Sequence, residues 1–131
     1  MRKQYHSRVV DGQNHIWDVH KLIEISRDFP VQDITLKDIK GLDGDHWYDI
    51  SSEPPTPRDI AVHAKLIIEC DLDYPVILSQ DGHVMDGMHR CCRALVEGLE
   101  TIKAVQFNKD PKPDYINVDI ETLPHDEPII L

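Results

Sequence analysis

The chain has 131 residues, 40% of them hydrophobic and 29% charged, with a formal net charge of -10 at pH 7. That length suits a single domain with a real core, the composition is too apolar for general disorder, and the acidic excess argues against sequence-blind nucleic-acid binding, which runs on phosphate neutralisation by Lys and Arg. No run approaches the roughly 20 apolar residues of a membrane span, and the start Met1-Arg2-Lys3-Gln4-Tyr5-His6 has no apolar signal-peptide core, so no membrane partner and a cytoplasmic location are expected. Cys70, Cys91 and Cys92 make an odd count with two adjacent, which fits reduced thiols.

Residues 1–13 are polar without a clear period and read as an N-terminal arm. Asn14 is placed to cap a helix to about Asp28, with Ile16, Trp17, His20, Ile23 and Phe29 along one side, stopped by Pro30. Val31 to Leu36 alternates like a half-buried strand. The stretch from Gly41 to Pro55 is too rich in Gly, Asp, Ser and Pro for regular structure and too long for a plain connector; its Trp47 and Tyr48 are candidate pocket walls. Thr56-Pro57-Arg58-Asp59 is a helix start with a capping Thr, Pro in the first turn and an acid three residues on. That helix should reach Cys70 and bury Ile60, Ala61, Ala64, Ile67 and Ile68, with His63 at the stripe's edge as a candidate site residue.

Tyr74 to Leu78 reads as a strand, Asp81-Gly82 as a hairpin turn and His83-Val84-Met85 as the partner strand. Asp86 is expected to cap a helix carrying Met88, Cys91 or Cys92, Leu95 and Leu99 on one side and ending at Gly98. A strand follows over 101–107. Residues 108–131 are a Pro-rich, acidic C-terminal extension, with an edge strand expected between Tyr115 and Ile120.

Chemistry concentrates in Asp86-Gly87-Met88-His89-Arg90. A helix N-terminus exposes unpaired N–H groups and partial positive charge, so a glycine that admits close approach, followed by His89 and Arg90, suits a phosphate or other anion. Cations in a first helical turn oppose the dipole, a cost that a bound anion relieves. The segment from Asp86 to Lys109 carries four Lys or Arg against three acids, so a local anion site is compatible with the acidic chain. The eight histidines show no ligand spacing that marks a dedicated metal site.

The run Tyr74-Pro75-Val76-Ile77-Leu78, the Asp-Gly hairpin, Asp86-Gly87-Met88-His89-Arg90, Ala94, Gly98-Leu99 and Ile102-Lys103-Ala104-Val105 resemble the core of the ParB/sulfiredoxin-like superfamily, over residues 31–107. The resemblance implies an α+β fold, a small mixed sheet packed with helices and an anion site at a helix N-terminus. Met88 stands where sulfiredoxins carry their catalytic cysteine, and a thioether cannot supply that thiolate. With so little sequence after Phe107, the DNA-reading domain of ParB partition proteins is not expected here. The turn matches the Asp-Gly-x-His-Arg form of ADP-dependent free-serine kinases, as in a stand-alone ParB-like nucleotide-binding domain.

By that resemblance Gly87, Met88, His89 and Arg90 hold the phosphate of ATP, ADP or CTP, with Mg²⁺ carried by the nucleotide. Asp86 and Asp45 are the candidate catalytic carboxylates, and Trp47, Tyr48, His63 and Arg93 the candidate pocket walls. The expected function is nucleotide binding, with small-molecule phosphotransfer or nucleotide hydrolysis as the enzymatic version. A non-catalytic interaction module or homodimer is the alternative, and a ParB-type nuclease the weakest reading, because of the acidic balance.

Overall fold

The computed structural model describes residues 4–44 and 54–124. Asp45, Trp47 and Tyr48 lie outside the described residues, as does the end of the C-terminal extension. Among the described residues the fold is mixed α+β, with two sheets and three α-helices.

Strands β1 (Tyr5–Val10) and β2 (Gln13–Asp18) form an antiparallel hairpin. Its two-residue turn, Asp11-Gly12, has positive φ at both positions, 50° and 77°, the backbone twist that suits a right-handed strand pair. The arm expected over 1–13 is thus largely a strand, and the helix expected from Asn14 starts only after β2. Ile16 and Trp17 sit at helical spacing from His20 and Ile23, but β1 supplies hydrogen-bond partners that a strand can use and a helix cannot. Asp18 then caps helix α1 (Val19–Ser26), accepting from the His20 N–H at 2.9 Å. The short strand β7 (Tyr115–Ile116) pairs with the other edge of β2, giving the order β1-β2-β7.

The second sheet contains β3 (Gln32–Thr35), β4 (Val76–Leu78), β5 (Val84–Asp86) and β6 (Thr101–Gln106) in the order β3-β6-β4-β5. The β4–β5 hairpin is antiparallel, as its Asp81-Gly82 turn implies, with Gly82 at φ 88°. Helix α3 (Met88–Val96) carries the chain back so that β6 pairs parallel with β4. Its end is a Schellman motif: Gly98 has φ 73°, its N–H reaches Leu95 O at 3.1 Å, and Leu99 N–H reaches Ala94 O at 3.0 Å.

The central strand β4 is buried on both faces and reads as a continuous apolar run, whereas the edge strand β3 is mostly exposed. Val76, Leu78, Val84, Ile102 and Ala104 pack with Met88, Cys91 and Ala94 of α3. Ile77, Met85, Val105 and Phe107 pack on the opposite side with Trp17 of β2 and with Val19 and Leu22 of α1. Helix α2 (Pro57–Glu69) has the expected capping box between Thr56 and Asp59.

The buried faces of two helices differ from expectation. In α2, Ile60 and Ile68 are 58% and 73% exposed, Ala61 and Ala64 are also exposed, and Val62, His63, Leu66 and Ile67 are half-buried. In α3 the buried residues are Met88, Cys91 and Ala94, whereas Leu95 and Leu99 face solvent. Both helices carry apolar residues around more than one side, and the mutual packing of α2 and α3 decides which side is used.

Candidate functional site

The β5-to-α3 turn is formed by Gly87, which is the N-cap of α3 at φ 106°, ψ 24°. Asp86 is therefore the last residue of β5 and not the cap. Gly87 O accepts the Cys91 N–H at 3.1 Å to start the helix, and no side chain caps the first turn. A Cβ on Gly87 would lie 2.7 Å from Arg90 Nη2 and 2.7 Å from Val76 Cγ1, so the Arg90 guanidinium folds directly over the glycine. Only glycine tolerates both the left-handed backbone and that approach.

Arg90 Nη2 donates to Asp86 Oδ2 at 3.0 Å, and both side chains are largely buried, at 14% and 10% exposure. The carboxylate offsets a cation in the first helical turn, where it would otherwise oppose the dipole. Arg90 Nε is buried with no hydrogen-bond partner among the described residues. The site thus holds an arginine with one donor satisfied by the chain itself and another left over.

His63 of α2 and His89 of α3, 26 residues apart in the chain, are brought together: His63 Nδ1 and His89 Nε2 are 2.8 Å apart, with stacked rings at 5.1 Å. A nitrogen–nitrogen hydrogen bond needs one donor and one acceptor, so this bond requires at least one of the two facing nitrogens to be unprotonated. The Cys70 thiol, at the end of α2, points to His89 O at 3.8 Å and Ile67 O at 3.2 Å. His63 accordingly lies beside the turn, carried there by α2.

Other candidates take different roles. The Met88 side chain is buried in the core, 6% exposed, which leaves only its backbone at the site. Arg93 bonds the carbonyls of Ile68 and Cys70 and the Glu97 carboxylate, so it closes the C-terminus of α2 and does not line the turn. Burial pushes the Cys91 thiol up to about 12 and raises Cys92, so neither is a thiolate nucleophile at neutral pH. Among the described residues no group of three or more His, Cys, Asp or Glu could hold a metal ion, and no helix is long and apolar enough to cross a membrane.

Sequence reasoning missed Val76, which forms the floor under Gly87, and the Cys70–His89 contact; both depend on how α2 and β4 pack on α3. It also missed Arg8 and His83, which line a separate recess at the far end of the β4–β5 hairpin. The Asp11-Gly12 dipeptide was the signal available for Arg8, because a hairpin there places β1 across that end of the molecule. Comparison with protein-family models, with curated proteins and with solved structures finds no match.

Proposed function

We propose that the turn from Asp86 to Arg90 binds the phosphate of a nucleotide at the N-terminus of α3. One observation carries this reading: Arg90 lies over Gly87 at a helix start that no side chain caps, with its Nε buried and without a partner among the described residues. Phosphate offers several strong acceptor oxygens, and arginine presents its donors in a fork that fits two of them. In this reading Asp86 holds the place of the anion until a phosphate oxygen takes over Arg90 Nη2. His89, hydrogen-bonded to His63, supplies the second donor, and the resemblance to the ParB/sulfiredoxin-like core points to the same residues.

The exchange also bears on catalysis. Displaced from Arg90, the Asp86 carboxylate is left beside the bound phosphate, where it can accept a substrate proton or hold a Mg²⁺-bound water. Phosphotransfer or nucleotide hydrolysis would follow from that rearrangement. The test is thermal unfolding with ATP, ADP and CTP in the presence of Mg²⁺, for the wild type and Arg90→Ala. A ligand at 100 times its Kd stabilises by about 2.7 kcal/mol, so a clear upward shift is expected for the wild type and none for the variant. No shift with any nucleotide, or an equal shift in both proteins, refutes the reading.

The exposed apolar side chains support a second reading, a homodimer. Ile60 and Ile68 of α2 and Val96 of α3, the last 81% exposed, have no described cover. Light scattering of the wild type against Ile68→Lys tests it, and a wild-type monomer at high concentration sinks it.

A further inference from the structure

Helix α2 is amphipathic, yet none of its residues is fully buried. Its half-buried residues include Val62, His63 and Leu66, and this side carries the contact with α3, where His63 meets His89. On the other side Pro57, Ile60, Ala61, Ala64 and Ile68 are all exposed. At about 3.6 residues per turn they fall within about 100° of the helix circumference, the width of stripe that such a helix normally buries in a core. Arg93 of α3 bonds the Ile68 and Cys70 carbonyls, so the end of α3, with its exposed Val96, lies beside the end of α2 and adds to the apolar patch.

The stripe reads alike in both directions about Ala64: Ile60 lies four residues before it and Ile68 four after. Arg58 and Glu69 stand near its two ends on one flank, with Lys65 between them. Glu69 is held by Lys65 at 2.6 Å, whereas Arg58 is exposed and has no ion pair among the described residues.

We infer that two copies of this chain associate through antiparallel α2 helices about a two-fold axis at Ala64, an inference that rests on the homodimer reading above and gives it a geometry. In that arrangement Ile60 packs on the partner's Ile68 and Ile68 on the partner's Ile60, while the small Ala61 and Ala64 let the helices come close where they cross. Arg58 comes opposite the partner's Glu69, once on each side of the axis. A parallel pairing would set arginine against arginine and glutamate against glutamate, so charge chooses the antiparallel one. Charge also favours this face over the rest of the surface. The chain carries -10 overall, but this flank has two cations to one carboxylate, so the repulsion between copies is relieved here. A single helix pair about 20 Å long is at the small end of specific interfaces, and the dimer therefore dissociates on dilution.

The experiment is cysteine cross-linking of the full chain, with the linked peptides identified by mass spectrometry. Molecular oxygen with a copper–phenanthroline catalyst joins two thiols as a disulfide and takes up their hydrogens. Ala64→Cys alone is expected to give a species of twice the 15.1 kDa chain mass. Ile60→Cys and Ile68→Cys are each expected to link poorly alone and readily to one another when mixed, because only opposite ends of the stripe meet. All three positions are exposed, so the substitutions leave the core intact. Arg58→Glu is expected to weaken the dimer about threefold to tenfold in light-scattering titrations, and an equimolar mixture of Arg58→Glu and Glu69→Arg chains to recover it, since both cross-pairs then attract. Ile60→Cys linking to itself as readily as to Ile68→Cys overturns the antiparallel geometry, as does unchanged affinity in Arg58→Glu. A wild-type dimer with no link at Ala64→Cys overturns this face while homodimerisation stands, and a wild-type chain that stays monomeric at high concentration overturns both.

Discussion

Replacing Gly87 by alanine adds one carbon at the most constrained point of the β5-to-α3 turn. Two separable costs follow. The backbone, at φ 106°, is one that L-residues avoid, and holding a Cβ there costs about 1–2 kcal/mol. The new Cβ also arrives 2.7 Å from both Arg90 Nη2 and Val76 Cγ1, and overpacking of that kind costs about 1–3 kcal/mol. Arg90 can swing away, at the expense of its 3.0 Å bond to Asp86, but Val76 is fully buried in β4 and cannot. The expected loss is therefore about 2–5 kcal/mol.

Gly98→Ala is the internal control. Gly98 also has positive φ, 73°, but a Cβ there meets nothing within 4 Å, so only the backbone cost of about 1–2 kcal/mol applies. Urea unfolding of the two variants, followed by circular dichroism, isolates the steric part as their difference. If Gly87→Ala falls within about 0.5 kcal/mol of Gly98→Ala, a margin ordinary for surface changes, the close approach of Arg90 and Val76 to Gly87 is refuted.

Three further outcomes follow from the same geometry. Asp86→Asn leaves the Arg90 guanidinium without its counter-charge, and urea unfolding should show a loss of about 2–3 kcal/mol, below the range for fully buried pairs because both side chains retain some exposure; an Asp86→Asn protein as stable as the wild type would show the pair to be idle. The lowered pKa of His83 means that the unfolded chain binds its proton first, so this group's contribution is present above the ordinary value of 6.5 and is lost as pH falls below it. The drop in urea midpoint between pH 7.5 and pH 5.5 should accordingly be smaller in His83→Gln, and an unchanged drop would contradict the assignment. Cys91, fully buried and with its thiol pushed up to about 12, should resist iodoacetamide at pH 8 in the native protein and react after unfolding, as peptide mass spectrometry would report; native labelling at the unfolded rate would place it outside the core.

Local chemistry was legible without any tertiary information. The Thr56–Asp59 capping box, the Asp81-Gly82 hairpin and the Gly98 helix end each involve groups within a few residues of one another, and each appears where its dipeptide or spacing placed it. Strand β4 was legible too, because burial on both faces makes Val76-Ile77-Leu78 a continuous apolar run. Of the candidate site, Gly87, His89 and Arg90 could be singled out by residue type and position alone.

Tertiary structure decided what those residues touch. Tyr5 to Val10 became a strand because Gln13 to Asp18 lies beside it, although the Asp11-Gly12 signal was present; a half-exposed hairpin shows little of the alternation that marks a strand. Several of α2's apolar residues face solvent because contact with α3, not its own periodicity, selected the buried side. The pairing of His63 with His89 and of Arg8 with Asp110 joins residues 26 and 102 apart. Sequence determined which side chains can cap, turn or carry charge, since those are properties of a residue and its near neighbours. Only the packed chain decided that Arg90 would lie over Gly87 on Val76, because that arrangement depends on a strand and a helix being brought to within one atom's width of each other.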